Sequence, residues 1–201
     1  KWLEGDEFVY PKGKGKCRVM KIVPGQIVTR QLLLKPKLQE ERIVSDTSRD
    51  ILKICVVERH TASGRIGKGL VKGFGLKRGA VATSIAHDSH NIIVVGVDDD
   101  DIFQAVVRIN KIGGGITVVV DNQPVEELPL PIAGLMSELS LHEVARKVER
   151  INASIRKLGS KLKDPLMSLS FLALPVVPEL KFTDKGLVDV DTFDFVDLFT
   201  G

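Results

Sequence analysis

Aromatic side chains are scarce in this sequence. One Trp, one Tyr and eight Phe make up 5% of 201 residues, so a core has to be built from Val, Ile, Leu and Ala. Cysteine is scarcer still, with only Cys17 and Cys55. Neither has a second Cys at metal-ligand spacing, and two isolated thiols fit a reducing cytoplasm better than a disulfide framework, a Cys17–Cys55 bridge being the alternative. No apolar run reaches the length of about 18 residues that would suggest a membrane span, so no membrane partner is expected. The balance of charge is nearly even. The formal net charge is +3, without the clustered Lys and Arg of a nucleic-acid footprint. No signal peptide opens the chain. The first residue is Lys1, not Met, which suggests a removed leader or a part of a longer polypeptide. What is present is ordinary for a globular protein: 43% hydrophobic and 27% charged residues.

Residues 1–16 read as a flexible N-terminal segment ahead of one domain over 17–201. The basic "YPKGKGK" stretch lacks the helix start that would make its lysines a phosphate site. "CRVMKIVP" and "QIVTRQLLLKP" read as two strands around the Pro24-Gly25 turn. "QEERIVSDTSRD" reads as a charged connection, and "ILKICVVERH" as a β-rich run ending in Arg59 and His60. Gly73, Gly75 and Gly79 give G-x-G-x-x-x-G, near a dinucleotide fingerprint. That fingerprint needs a helix to follow, but "AVATSIA" reads as a strand.

Two helices stand out. The first runs over 98–112. Its acidic start, Asp98 to Asp101, suits a cap and the positive end of the helix dipole. It lacks the alternating ligands and closing Glu of a calcium loop. Ile102, Val106 and Ile109 recur on one face, and Gly113 ends it. The second runs over 140–158. Ser140 and Glu143 form a capping box, and Leu141, Val144, Ala145, Val148, Ile151, Ile155 and Leu158 line one face up to Gly159. His142 falls in its first turn, on the surface. Between the helices, two strands meet across Asp121-Asn122. After the second helix comes an apolar tail broken by Pro175 and Pro178, a hairpin in "FTDKGLVDV", and a Phe-rich end. Phe193, Phe195 and Phe199 there could cover a core or dock on a partner. The element order predicts an α/β (mixed α+β) fold, a layered mixed β-sheet domain with two main helices packed on it.

One polar knot interrupts the apolar pattern. His87, Asp88, Ser89, His90 and Asn91 lie between two strand-like runs, and they include two of the chain's four histidines. A turn needs only one Asp or Asn to bond its own backbone, so two imidazoles are more than a turn requires. Three readings compete. It is a structural turn. It is a metal site, with His87 and His90 joined by Asp88 or His60. Or it is a nucleophilic centre at Ser89, although no G-x-S-x-G elbow surrounds that residue.

At these residues a family enters. "SIAHDSHNIIVVG", "ILKICVVERH", "GLVKGFGLKRGAVATS", "ELPLPIAGLMS" and "DPLMSLSFLALPVVPELKFTDKGLVDV" occur together and in order. From about Arg18 to Phe199 the chain resembles the C-terminal region of adenine deaminase, of the bacterial and archaeal type in the amidohydrolase superfamily. The resemblance implies a cytoplasmic hydrolase of purine metabolism that converts adenine to hypoxanthine and ammonia. It implies a (β/α)₈ barrel carrying a manganese or iron pair, with water activated by metal. That barrel does not fit within this chain, since about 250 residues are typical. No H-x-H occurs here, nor H-x-E with P-C-x-x-C. No metal ligand can therefore be carried over to any residue of this chain, and the barrel is the expected partner, in cis or in trans, with homo-oligomers open. The chain is not expected to deaminate adenine alone. His87, Asp88 and His90 are the candidates bordering the active site. Ser89, Asn91 and His60 are candidates for binding the purine. A stand-alone, non-catalytic binding or assembly module is the alternative.

Overall fold

Strand Ile51–Val57 is buried at all seven residues, which places it in the middle of a sheet covered on both sides. Leu52, Ile54 and Val56 join one hydrophobic cluster, and Ile51, Cys55 and Val57 join another. This is the period-2 alternation of a strand serving two cores.

A computed structural model describes residues 3–201. In chain order the strands are β1 (Tyr10–Pro11), β2 (Lys16–Ile22), β3 (Thr29–Leu34), β4 (Lys37–Gln39), β5 (Arg42–Val44), β6 (Ile51–Val57), β7 (Ile66–Lys72), β8 (Ala80–Thr83) and β9 (Ile92–Gly96). Helix α1 (Asp99–Lys111), β10 (Gly115–Val120), β11 (Gln123–Pro129), α2 (Leu141–Lys157) and α3 (Pro165–Phe171) follow. The chain then closes with β12 (Leu180–Thr183), β13 (Gly186–Asp189), β14 (Asp194–Val196) and β15 (Phe199–Thr200). The main sheet has the order β11-β10-β8-β9-β6-β7-β2-β15, with β3 also on β2. The trios β1-β5-β4 and β12-β13-β14 form two small sheets. The protein is thus a mixed α+β layered domain, as the element order predicts.

Among the described residues, parallel pairing is limited to β2 with β7. Strands β9 and β10 flank β8, and both run antiparallel to it, so they run parallel to each other with α1 as the crossover. Helix α1 and the 3₁₀ turn Asp6–Phe8 cover one face of the sheet; α2, α3 and the β12–β13 hairpin cover the other. Both long helices start where the sequence indicates. Asp98 accepts from the Asp101 N–H, and Ser140 with Glu143 forms a complete capping box. Asp121 and Asn122 both have positive φ, the geometry of the tight turn between β10 and β11.

Several readings change. The apolar tail contains α3, which the sequence reading misses although Asp164-Pro165 supplies an N-cap and an N1 proline. The charged connection after β3 contains β5. The apolar stripe of α2 is only partly covered: Ile151, Ile155 and Leu158 are buried, Val144 and Val148 half-buried, while Ala145 and Leu141 are exposed. Among the described residues, none covers Leu141 in the first turn. In the N-terminal segment, residues 1–2 lie outside the described residues, and Phe8 and Tyr10 are buried. Cys17 and Cys55 are both free and buried.

Candidate functional site

Several loops gather at the end of the main sheet that carries the polar knot. These loops follow the C-terminal ends of β6, β8 and β11 and precede β7, β9 and β10. Residues 87–89 form the turn between β8 and β9, and His90 has φ 50, in the left-handed region. The turn closes on itself, because the His90 N–H donates to the Ala86 carbonyl at 2.6 Å and the Ala86 N–H donates to His90 Nδ1 at 3.3 Å. From below, the His87 N–H donates to the Ser170 carbonyl, and the His87 ring lies 4.8 Å from that of Phe171 at the end of α3. The two imidazoles meet edge to face, with centroids 5.5 Å apart.

Arg59 fastens the knot to its surroundings. Its Nε donates to the His90 carbonyl and its guanidinium to the Ala133 carbonyl, both at 2.6 Å. The close approach depends on Gly134, where φ is +74 and a Cβ would stand 2.7 Å from the guanidinium. His60 Nε2 lies 2.7 Å from the Ser89 carbonyl. Buried Asn91 accepts from the Arg59 N–H and donates to Asp184 in the β12–β13 turn, and Arg65 holds Asp184 by an ion pair at 2.9 Å. Glu58 organises the 58–63 loop by accepting from the N–H groups of His60, Thr61 and Ser63 and from the hydroxyls of Thr61 and Ser63. Burial pushes its carboxyl upward, but those hydrogen bonds outweigh burial and hold it well below the usual carboxylate range.

All six residues singled out by the sequence, His60, His87, Asp88, Ser89, His90 and Asn91, therefore fall in one cluster. Asp88, Ser89 and His60 are exposed, His87 and His90 half-buried, and Asn91 buried. Glu58, Arg59 and Asp184 belong to the same cluster but were not among those candidates. Arg59 donates to main-chain carbonyls distant in sequence, and Asp184 accepts from side chains as distant, so neither leaves a local pattern to read.

The chemistry of the cluster is that of a hydrogen-bonding surface. Burial, then the positive potential of His87 and Arg59, lowers the His90 pKa, with Asp88 opposing. The imidazole is thereby held neutral, and with Nδ1 accepting from Ala86 its Nε2 is the N–H donor. The donor set does not suit a metal. His60 Nε2 and His90 Nδ1 are already engaged, and among the described residues no three His, Cys, Asp or Glu side chains converge on a point. Among the described residues, no base is hydrogen-bonded to the Ser89 hydroxyl.

Comparison with known proteins gives the same family as the motifs. The family model described as the adenine deaminase C-terminal domain matches residues 26–194. An adenine deaminase of Desulfatibacillum aliphaticivorans is 50% identical over 197 residues, covering 98% of this chain and 35% of the relative. The adenine deaminase of Methanothrix thermoacetophila is 52% identical, covering 96% and 34%, and that of Archaeoglobus fulgidus is 53% identical, covering 92% and 32%. The chain thus spans about a third of the length of the curated relatives it matches. By its motifs, its matching family model and these relatives, the chain belongs to the adenine deaminase C-terminal domain family.

Proposed function

We propose that the chain serves as the C-terminal part of a cytoplasmic adenine deaminase, a metal-dependent hydrolase of the amidohydrolase superfamily that converts adenine to hypoxanthine and ammonia. The manganese or iron pair belongs to the barrel encoded by the remaining two thirds, because the donor set of this chain does not fit a metal. His87, Asp88 and His90 border the active site, and His60, Ser89 and Asn91 form hydrogen bonds toward the purine. No nucleic acid or membrane takes part, and among the described residues no helix is long and apolar enough to cross a membrane.

The observation that carries this reading is the Arg59 clamp on the His90 carbonyl. Binding groups are placed on loops held by rigid elements, and a turn with no external role does not need a half-buried guanidinium to fix its backbone. A neutral imidazole with a free N–H matches the ring-nitrogen acceptors of a purine.

The test uses a chimera in which the N-terminal two thirds of the Desulfatibacillum relative precede this chain. The chimera deaminates adenine and the chain alone does not. His87→Ala and His90→Ala each lower turnover by more than about tenfold, a barrier change of about 1.4 kcal/mol, with nearly unchanged melting temperature. Turnover by the pure chain, or variants that keep full activity or lose it only by unfolding, would overturn this reading.

A further inference from the structure

The apolar stripe of α2 does not stop where its burial stops. Ile151 and Ile155 are fully buried, but one end of the stripe, Leu141, is 85% exposed. The segment leading into the helix continues it, with Met136 at 58%, Ile132 at 43% and Leu139 at 38%. Ile132 and Met136 bond each other through their main chains, so this segment is folded, not trailing. Scattered exposed hydrophobics are normal on a protein surface, whereas four within ten residues of one folded segment mark a contact.

The group has a definite location. Lys147 donates to the Glu127 carbonyl and Arg150 pairs with Glu126, so α2 runs antiparallel to β11. Its first turn therefore lies at the end of the sheet that carries the polar knot. Ala133, within the same segment, accepts from Arg59, the residue that clamps His90. The relatives extend to about three times the length of this chain, so a large body of protein is missing from beside it.

Resting on the functional reading just given, we propose that Ile132, Met136, Leu139 and Leu141 form the docking face for the N-terminal catalytic part of the deaminase. Docking there sets that part against the His87–His90 turn and completes the apolar stripe of α2.

The 201-residue chain and the N-terminal two thirds of the Desulfatibacillum relative are purified separately, and their association is measured by titration calorimetry. The two associate. A Met136→Glu/Leu141→Glu variant, folded by circular dichroism, weakens association at least about tenfold, while Phe193→Asp/Phe195→Asp on the β14 edge leaves it unchanged. Failure of the unmodified pair to associate, or indifference to the glutamates, overturns the proposal. So does a free chain that dimerises through this face, which would make a second copy its occupant. Adenine turnover of the mixture is read separately. A complex that forms through this face without deaminating sinks the functional reading alone, and a deaminating complex indifferent to the glutamates sinks the docking face alone.

Discussion

The two faces of the main sheet are finished to different degrees. Under α1, Ile102, Ala105, Val106 and Ile109 are all buried, and the helix stripe is used along its whole length. Under α2, a longer helix with a more complete cap, full burial begins only in the second half. Both helices start and stop where their local residues dictate. The difference lies in what stands opposite, so capping and length are local properties while burial belongs to the neighbours.

The same contrast holds for the two buried lysines. Lys53, on the α1 side, pairs with Asp99, donates to the Phe8 carbonyl and lies 4.5 Å from the Tyr10 ring centre. Lys181, on the α2 side, is just as buried, yet among the described residues no carboxylate pairs with it. It donates only to the carbonyls of Ile27 and Phe171, at 2.6 and 3.1 Å. Burial lowers its pKa to about 8. One face neutralises its buried cation; the other tolerates it.

The largest effect separating the faces is expected from truncation. Ile102→Ala should cost about 2–5 kcal/mol in urea unfolding, because it opens a cavity in a closed core. Leu141→Ala should stay within about 0.5 kcal/mol. Similar losses at both positions would erase the contrast.

Next is the pH dependence of Lys181→Met. Between about pH 8 and the ordinary 10.5, the unfolded chain binds a proton at this lysine that the folded chain does not, so stability of the parent rises with pH across that window. Parent minus variant should therefore climb by on the order of 3 kcal/mol. Burial pushes the thiols of Cys17 and Cys55 up to about 11, but both proteins carry them and they cancel in the difference. A flat difference curve would mean that Lys181 titrates normally.

The smallest effect is expected at the caps. Asp98→Ala and Ser140→Ala should each cost about 0.5–2 kcal/mol in thermal unfolding. If only Asp98 matters, the value of a cap depends on the burial of its helix, and the local account above fails.

Much of the fold was legible because its signals are short-range. Asp98, the Ser140–Glu143 pair and Asp121-Asn122 each act within a few residues of themselves. Helix α3 was equally local in its Asp164-Pro165 start, but the surrounding leucines read as a featureless apolar run. The exposure of Leu141 was not legible, since its spacing is right for a buried stripe and only the absence of a neighbour exposes it. In the candidate site, the clustering of histidines with Asp and Asn marked the turn that the structure gathers with His60 and Arg59. Arg59 and Asp184 were out of reach because their partners lie 31 and 93 residues away in sequence. The acceptors of the Arg59 side chain are main-chain carbonyls, which every residue possesses.

Arg59 gives the last consequence. By holding the His90 carbonyl and the Ala133 carbonyl together, it ties two surface loops to the end of β6 and removes their freedom to move apart. Ordering a loop costs roughly 1–2 kcal/mol per residue in backbone entropy. Here that cost is met during folding, so any molecule that bound at the turn would meet groups already in position, and its binding energy would not be diminished by arranging them.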